Sequence, residues 1–473
     1  MITPRDRDTI CAVSTPPGVG GISVLRLSGE KALEILRSIA PFVPENPESH
    51  RAYFGTLIDP SQREAVDEVL VTWFDHGKSF TGEKTAEISC HGNPLICGEI
   101  LRHLVASGAR PADRGEFTYR SFMNGKMDLV QAESVLSLIE SRSASARRLA
   151  LRQLKGDLSQ KIEAIEDDMI WCLAHIEAGI DFATEGLKTV ESDVLLSRLG
   201  TIEKSLDQLV RSFSAGRILK DGVRVVFAGR PNVGKSSLLN NFLEEDRAIV
   251  TDIPGTTRDV VEGETQHEGI RISFVDTAGL READDQIERL GIARSRKAQD
   301  DADLIFFVFD ASRGLEADDL EILRSLDRER TLVLGNKVDS APKEALDRSK
   351  DALQAETFFT EKDSSGTSSA QKVFFVSALD KVTRASVLDV LTQRLRSELN
   401  ESASVLAGVR HFERLSAALE AVQRGTGILR TEAGAEFAAV DLKEALLAVQ
   451  ETIGKRFDDQ IMDRVFKEFC IGK

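Results

Sequence analysis

Residues Val223 to Ser237 read Val-Arg-Val-Val-Phe-Ala-Gly-Arg-Pro-Asn-Val-Gly-Lys-Ser-Ser, and no other stretch restricts the fold so strongly. Val223 to Ala228 is a short apolar run, the pattern of a buried strand. Gly229-x-x-x-x-Gly234-Lys235-Ser236 follows at once, and Ser237-Leu238-Leu239-Asn240 opens a helical pattern. Strand, glycine loop and helix in this order make a phosphate cradle. The glycines let backbone N–H groups turn inward toward an anion, and the helix N-terminus adds partial positive charge. Lys235 can reach the outer phosphates, and the Ser236 hydroxyl can ligate Mg2+. Asn232, Val233, Gly234, Lys235, Ser236 and Ser237 are thus candidate ligand contacts.

The base is specified further along. Asp276-Thr277-Ala278-Gly279 ends the apolar run Ile270 to Val275, which puts a strand-end carboxylate within reach of the metal's water shell. Asn336-Lys337-Val338-Asp339 ends the strand pattern Thr331 to Leu334, and Ser377-Ala378-Leu379 ends Val373 to Val376. The Asp339 carboxylate can accept both N1–H and the exocyclic amino group of guanine; adenine lacks that pair of donors. In open α/β sheets ligands sit at the C-terminal ends of strands. These motifs, in this order and each at such an end, resemble the GTPase superfamily, which implies GTP rather than ATP.

The length, 473 residues, leaves room for about three domains. No run of 18 apolar residues occurs and the N-terminus lacks the apolar core of a signal peptide, so neither a membrane span nor a leader is expected. Five cysteines (Cys11, Cys90, Cys97, Cys172, Cys470) are scattered, and Cys90 and Cys97 stand too far apart for the usual metal or redox motifs. They read as reduced thiols of a cytoplasmic protein. A net charge of −16 argues against broad adhesion to nucleic acid, so RNA contact would need a local basic patch.

Along residues 1–125 short strands and helices alternate. Ile10–Val13, Ile22–Leu27, Glu68–Phe74 and Thr85–Cys90 read as strands, Ala32–Ile39 and Ile96–Ser107 as helices: a compact α+β domain. The Pro16–Gly21 loop lacks a Lys and a following helix, which favours a structural turn over a nucleotide loop. A helical domain, 126–219, follows. Leu129, Ala132, Val135, Leu136 and Ile139 make one helix; Leu199, Ile202, Leu206, Leu209 and Phe213 make another. Between them Leu151, Leu154, Leu158, Ile162, Ile165, Met169, Leu173, Ile176 and Ile180 predict a single helix with one apolar seam. Arg142, Arg147, Arg148, Arg152 and Lys155 cluster near its start, as a solvated face or as an RNA contact. The nucleotide domain spans 220–385 and contains a polar stretch, 339–371, whose segment 363–369 is expected to be a surface loop. Helical texture returns over 386–473, so the nucleotide domain reads as an insert in a helical domain. The tail Phe469-Cys470-Ile471-Gly472-Lys473 either frays or reaches into a site.

Taken together, the chain resembles over its full length the MnmE (TrmE) family of tRNA-modification GTPases. The resemblance rests on Gly229–Ser237, on Thr251-Asp252-Ile253-Pro254-Gly255-Thr256-Thr257-Arg258-Asp259, on Asp276–Glu282, on Phe80-Thr81-Gly82-Glu83 and on the terminal Cys470-Ile471-Gly472-Lys473. It implies a multidomain α/β and all-α architecture: an N-terminal α+β folate-binding-like and dimerisation domain, a helical domain, and an inserted Ras-like P-loop GTPase domain. It implies a cytoplasmic homodimer that acts with an FAD-dependent partner (MnmG, also GidA), in a heterotetramer or larger assembly. The pair installs an aminomethyl or carboxymethylaminomethyl group at carbon 5 of the wobble uridine of tRNA. The one-carbon unit comes from 5-formyl- or methylene-tetrahydrofolate.

The same resemblance assigns roles. Many GTPases compensate phosphate charge with an arginine finger; this family uses K+, which here would be held by Asn232, Thr251, Ile253 and Thr256. Thr257 would join Ser236 on Mg2+. Thr251, Asp252, Ile253, Pro254, Gly255, Thr256 and Thr257 would line the GTP site beside Asp276, Thr277, Ala278, Gly279, Asn336, Lys337, Asp339, Ser377 and Ala378. Leu280 stands where other GTPases carry a water-orienting Gln, so Glu288, otherwise a surface carboxylate, becomes the catalytic group, with Lys235 on the phosphates. Folate contacts would be Arg26, Glu87, Lys126 and Lys473; read without the family, Arg26 or Glu87 makes a strand-edge salt bridge and Lys126 is a solvated side chain. Cys470 is the candidate nucleophile or proton handler. The competing reading is an RNA- or ribosome-docking assembly GTPase without modification chemistry.

Overall fold

The computed structural model describes residues 8–181, 192–243, 263–276, 299–356, 373–398, 405–431, 434–457 and 459–473. Residues 251–257, 277–279, Glu288 and the segment 363–369 lie outside them. Two units emerge: Met1–Ile139 with Arg152–Asp207 and Glu413–Lys473, and Glu140–Leu151 with Gln208–Phe412.

The first unit holds strands β1 (Ile10–Val13), β2 (Gly20–Ser28), β3 (Arg51–Ile58), β4 (Ala65–Phe74), β5 (Thr85–Gly92) and β6 (Arg110–Pro111). They form one sheet in the order β3-β4-β5-β2-β1-β6, antiparallel except where β1 meets β6. Val69, Val71 and Trp73 alternate inward along β4 and are buried. Helices Ala32–Ile39 and Pro94–Ala106 pack Ile35, Leu36 and Ile39, and Ile100 and Leu104, into that same core. Each such side chain contributes about 1.5–3 kcal/mol. The second helix starts where the sequence provides a cap: the Asn93 side chain accepts from the Leu95 N–H at 2.8 Å, with Pro94 in the first turn.

The single helix expected across Leu151 to Ile180 is two, Ala144–Leu154 and Asp157–Asp181. Gly156 takes φ +91°, and the Gln131 amide donates to the freed Leu154 carbonyl at 3.1 Å. The periodicity of the seam survives the break, which is why the apolar pattern alone does not reveal it. The longer helix packs along Ala435–Ile453. Leu158, Ile162, Met169 and Cys172 on one, and Leu442, Ala445 and Val449 on the other, are buried. Glu166, 3 % exposed, is satisfied there by Gln450 at 3.0 Å and by the Lys455 ammonium at 2.6 Å. That ion pair holds the lysine above its usual value.

The second unit holds β7 (Val223–Ala228), β8 (Gly263–His267), β9 (Ile270–Asp276), β10 (Leu304–Asp310), β11 (Thr331–Asn336) and β12 (Val373–Phe375). The sheet order is β12-β11-β10-β7-β9-β8, parallel throughout except for the β8–β9 hairpin. The hydrophobic strand β10, buried at all seven positions, lies at its centre, as a parallel sheet covered on both faces requires. Phe227, Phe242, Phe274 and Phe306 form a quartet beneath the phosphate loop, with β7–helix centroids 6.3 Å apart and β9–helix centroids 5.5 Å apart. Such pairs add about 0.5–1.5 kcal/mol each beyond area burial. The polar stretch after Asp339 contains the helix Lys343–Ala355. Of the arginine cluster, Arg142 gives its carbonyl to Gln266, Arg148 bonds Ser145 at 3.3 Å, and Arg152 pairs with Asp157 at 2.9 Å.

Candidate functional site

The C-terminal ends of four parallel strands come together. Phe227 pairs with Asp276, Phe307 with Ala228, and Asp310 with Asn336. The loop leaving β7 lies so close to its neighbours that side chains are excluded. Gly229, at φ +133°, would drive a Cβ into the Val308 carbonyl oxygen. Gly234, at φ +96°, would drive one into the Asn336 amide. Asn232 sits between them at φ +63°, a conformation asparagine tolerates better than most residues. Lys235 is 8 % exposed, and its ammonium rests on the carbonyls of Gly229 at 2.9 Å and Arg230 at 2.7 Å. Ser236 and Ser237 are exposed in the first turn of Lys235–Leu243. Backbone N–H groups and the dipole of that helix favour an anion there.

The Asn336–Asp339 and Ser377–Ala378 segments are tied to this frame. Asn336, 1 % exposed, donates to the Val233 carbonyl at 2.9 Å and accepts from the Ala378 N–H at 3.1 Å. One side chain thereby joins the phosphate loop to the Ser377–Ala378 turn. Asn241 fixes the same turn through the Ala378 carbonyl at 2.8 Å, and the Ser377 hydroxyl accepts from Leu379 at 3.2 Å. Lys337 donates to the Asn232 carbonyl at 3.2 Å and to Asp310 at 2.6 Å. Asp339 is exposed in the short turn Val338–Ser340, with its carboxylate open to solvent.

Arg230 was not singled out by motif, yet it clasps the start of helix Ala317–Ser325. It reaches Glu316 at 2.7 Å, Asp319 at 3.0 Å and Asp318 at 3.4 Å. The bond to Glu316, with the other carboxylates, raises the guanidinium further above its ordinary value. Burial pushes the Asp319 carboxyl up despite that arginine. Glu316 lies 86 positions from Arg230, so no local pattern in the sequence signals this clasp.

A second constellation lies in the first unit. Arg26 and Glu87 face each other across β2 and β5, with the guanidinium on the Glu87 Oε1 at 3.1 and 2.7 Å. Arg26 also lies over the rings of Phe80 and Phe117, 5.3 and 5.5 Å from their centroids. Phe80 belongs to the Phe80–Glu83 motif, whose Glu83 is held by Ser28 at 2.7 Å and by buried Arg120 at 3.2 Å. The two side chains thus pair with each other between interior strands of the sheet rather than at its edge, on an aromatic bed. Lys126 sits beside Gly82 and donates to the Gly77 carbonyl at 2.9 Å.

The C-terminal tail does not fray. Phe469 is buried, Ile471 pairs with Arg114 as a β-bridge, and the Cys470 carbonyl accepts from Gly115 at 3.4 Å. Gly472, at φ +89°, is pressed on Val13, and its carbonyl accepts from the Ser14 hydroxyl. This leaves the Cys470 thiol exposed and Lys473 half-buried where β1 runs into the Pro16–Gly21 loop. Each tail contact joins residues hundreds of positions apart, which explains why local pattern left the tail undecided.

Two family descriptions match: the GTP-binding protein TrmE N-terminus over residues 9–126, and the MnmE helical domain over 129–470. A tRNA modification GTPase MnmE of Bdellovibrio bacteriovorus is 57% identical over 99% of this chain and 98% of its own length. One from Alkaliphilus oremlandii is 36% identical over 98% and 99%. The G domain of the T. maritima FeoB iron transporter is 26% identical, over 38% of this chain and 99% of its own, with a TM-score of 0.24. With the Gly229–Ser237 loop and the Asn336 and Ser377 segments meeting at the ends of one sheet, and with both family regions matched and the relatives covered over nearly their full length, this chain belongs to the MnmE family of tRNA modification GTPases.

Proposed function

We propose that the chain hydrolyses GTP with stimulation by K+ and, with the FAD-dependent MnmG, adds an aminomethyl or carboxymethylaminomethyl group to carbon 5 of wobble uridine in tRNA. The docked tail carries the reading. A thiol exposed at Cys470 and the terminal Lys473 are delivered to a domain that also displays the Arg26–Glu87 pair. The Glu87 carboxylate suits the paired N–H donors of a pterin, and Lys126 and Lys473 suit the glutamate tail of a tetrahydrofolate, 5-formyl or methylene. The reading divides the chain into a folate and dimerisation domain (1–125), a helical domain (126–219 and 386–473) and the inserted GTPase domain (220–385). It makes the chain a cytoplasmic homodimer within a heterotetramer or larger assembly.

At the nucleotide site, Lys235 places an ammonium inside the loop, Asn336 fixes the loop's height, and Asp339 presents the guanine acceptor. Oxygen donors fit hard cations. Ser236 with Thr257 suits Mg2+, and Asn232 with Thr251, Ile253 and Thr256 suits K+. When bound, the cations neutralise charge building on the phosphates. Glu288 would orient the attacking water. GTPase rates in KCl and NaCl test the cation: the wild-type chain runs at least about tenfold faster in KCl, about 1.4 kcal/mol of barrier, and Asn232→Ala loses the difference. Equal wild-type rates in the two salts remove K+ from the mechanism. Mass spectrometry of wobble nucleosides from cells lacking the chain tests the modification.

A further inference from the structure

Asp310 ends β10, in register with Asn336. It is 7 % exposed, and both of its oxygens are engaged. Oδ1 accepts the Ser312 N–H at 3.0 Å and the Ser312 hydroxyl at 2.6 Å; Oδ2 accepts the Lys337 ammonium at 2.6 Å. The same ammonium donates to the Asn232 carbonyl at 3.2 Å. Lys337 itself holds φ +65°, a strained conformation for a lysine. We infer that Asp310 is a positioning residue for guanine-nucleotide binding, which through Lys337 fixes the Asn336–Asp339 segment against the phosphate loop.

Three observations support this. The loop and the base-selecting turn come from distant parts of the chain, and Lys337 touches both sides. A buried carboxylate bonded to an ammonium is a strong, directional anchor. Burial raises the Asp310 carboxyl, but the Lys337 and Ser312 bonds outweigh it and leave it below its ordinary value, so it is charged at neutral pH. The effect falls on the ligand's grip rather than on bond cleavage: Asp310 serves the base end, and Lys235 and the first helical turn serve the phosphates.

The test is a double-mutant cycle on the full chain, read by titration with fluorescent mant-GDP. Asp310→Asn keeps an acceptor for Ser312 and loses the charge beneath Lys337. We expect its Kd to rise about tenfold, the scale of a charge-assisted hydrogen bond, with KM for GTP rising in parallel and kcat within about twofold. In a Lys337→Met background the same change has no further effect. Asp310→Glu, which restores the charge, recovers part of the affinity. Should Asp310→Asn not fold, Ser312→Ala replaces it: it removes the hydroxyl bond to Oδ1 and leaves the backbone N–H bond there, weakens binding about threefold and is likewise silent in the Lys337→Met background. Unchanged affinity, or equal losses with and without Lys337, overturns the proposal. The inference rests on guanine nucleotide occupying this site, which wild-type binding of mant-GDP over mant-ADP checks separately.

Discussion

The Ser14 hydroxyl donates to the carbonyl of Gly472 at 3.1 Å, across 458 positions of sequence. The bond closes the C-terminus onto the exit of the first strand. Gly472 alone allows it: a Cβ at φ +89° would meet the Val13 carbonyl oxygen.

Gly472→Ala is therefore expected to detach the tail and take Cys470 from its place. The backbone strain alone is about 1–2 kcal/mol, which should lower tRNA modification by about tenfold. Intrinsic GTP hydrolysis should stay unchanged, because the nucleotide loops belong to the other unit. Nucleoside mass spectrometry beside a phosphate-release assay reads both. Normal modification in the variant would show that the tail's seat is dispensable.

Gly229→Ala attacks the phosphate loop. The added methyl runs into the Val308 carbonyl of the central strand, so the loop must shift away from β10. GTP affinity should fall by about a hundredfold or more, since a core overpacking of about 1–3 kcal/mol adds to lost N–H contacts. Equilibrium binding of mant-GDP measures it. Affinity within threefold of wild type would mean that the loop accommodates a side chain.

The thiols should react in a fixed order. Burial pushes Cys11 and Cys90 up to about 12 and Cys172 up to about 11, whereas Cys470 is exposed. At pH 8 fewer than about one in a thousand of those buried groups is thiolate. Brief iodoacetamide treatment of the folded chain should label Cys470 alone, and all five cysteines only after denaturation. Peptide mapping reads the order. Cys90 and Cys97, 3.9 Å apart and buried, should stay unlabelled in the native protein.

Acid should loosen the first unit. Burial raises the Glu116 carboxyl, but Arg110, the Asp113 N–H and Arg120 pull it below its ordinary 4.5. A depressed folded value means stability that is present above the unfolded value and lost as pH falls through the folded one. The melting temperature should drop as pH is lowered from 5 toward 3, and Glu116→Gln should flatten that drop while costing stability at pH 7. An acid profile identical in the two proteins removes Glu116 from it.

Local pattern carried much of this fold. Val223–Ala228 and Ala32–Ile39 form the strand and the helix that their apolar spacing predicts. The strand Arg51–Ile58 escapes that logic: it lies at the sheet edge, and Phe54, 70 % exposed, points its ring outward. Glycine at 156 ends a helix without interrupting the hydrophobic rhythm. At the nucleotide site, Asn336 and Lys337 are legible because motif and function coincide. Asp310, Arg230 and Ser14 are not, because their partners lie in distant segments. One clue was available for Asp310: like Asp276, it closes an apolar run.

Asn336 spends its amide on the phosphate loop and its carbonyl oxygen on the Ser377–Ala378 turn. Those two walls are thus mortared together by folding itself. An arriving nucleotide meets a cleft already cut to width on that side, and loses no affinity to organising it.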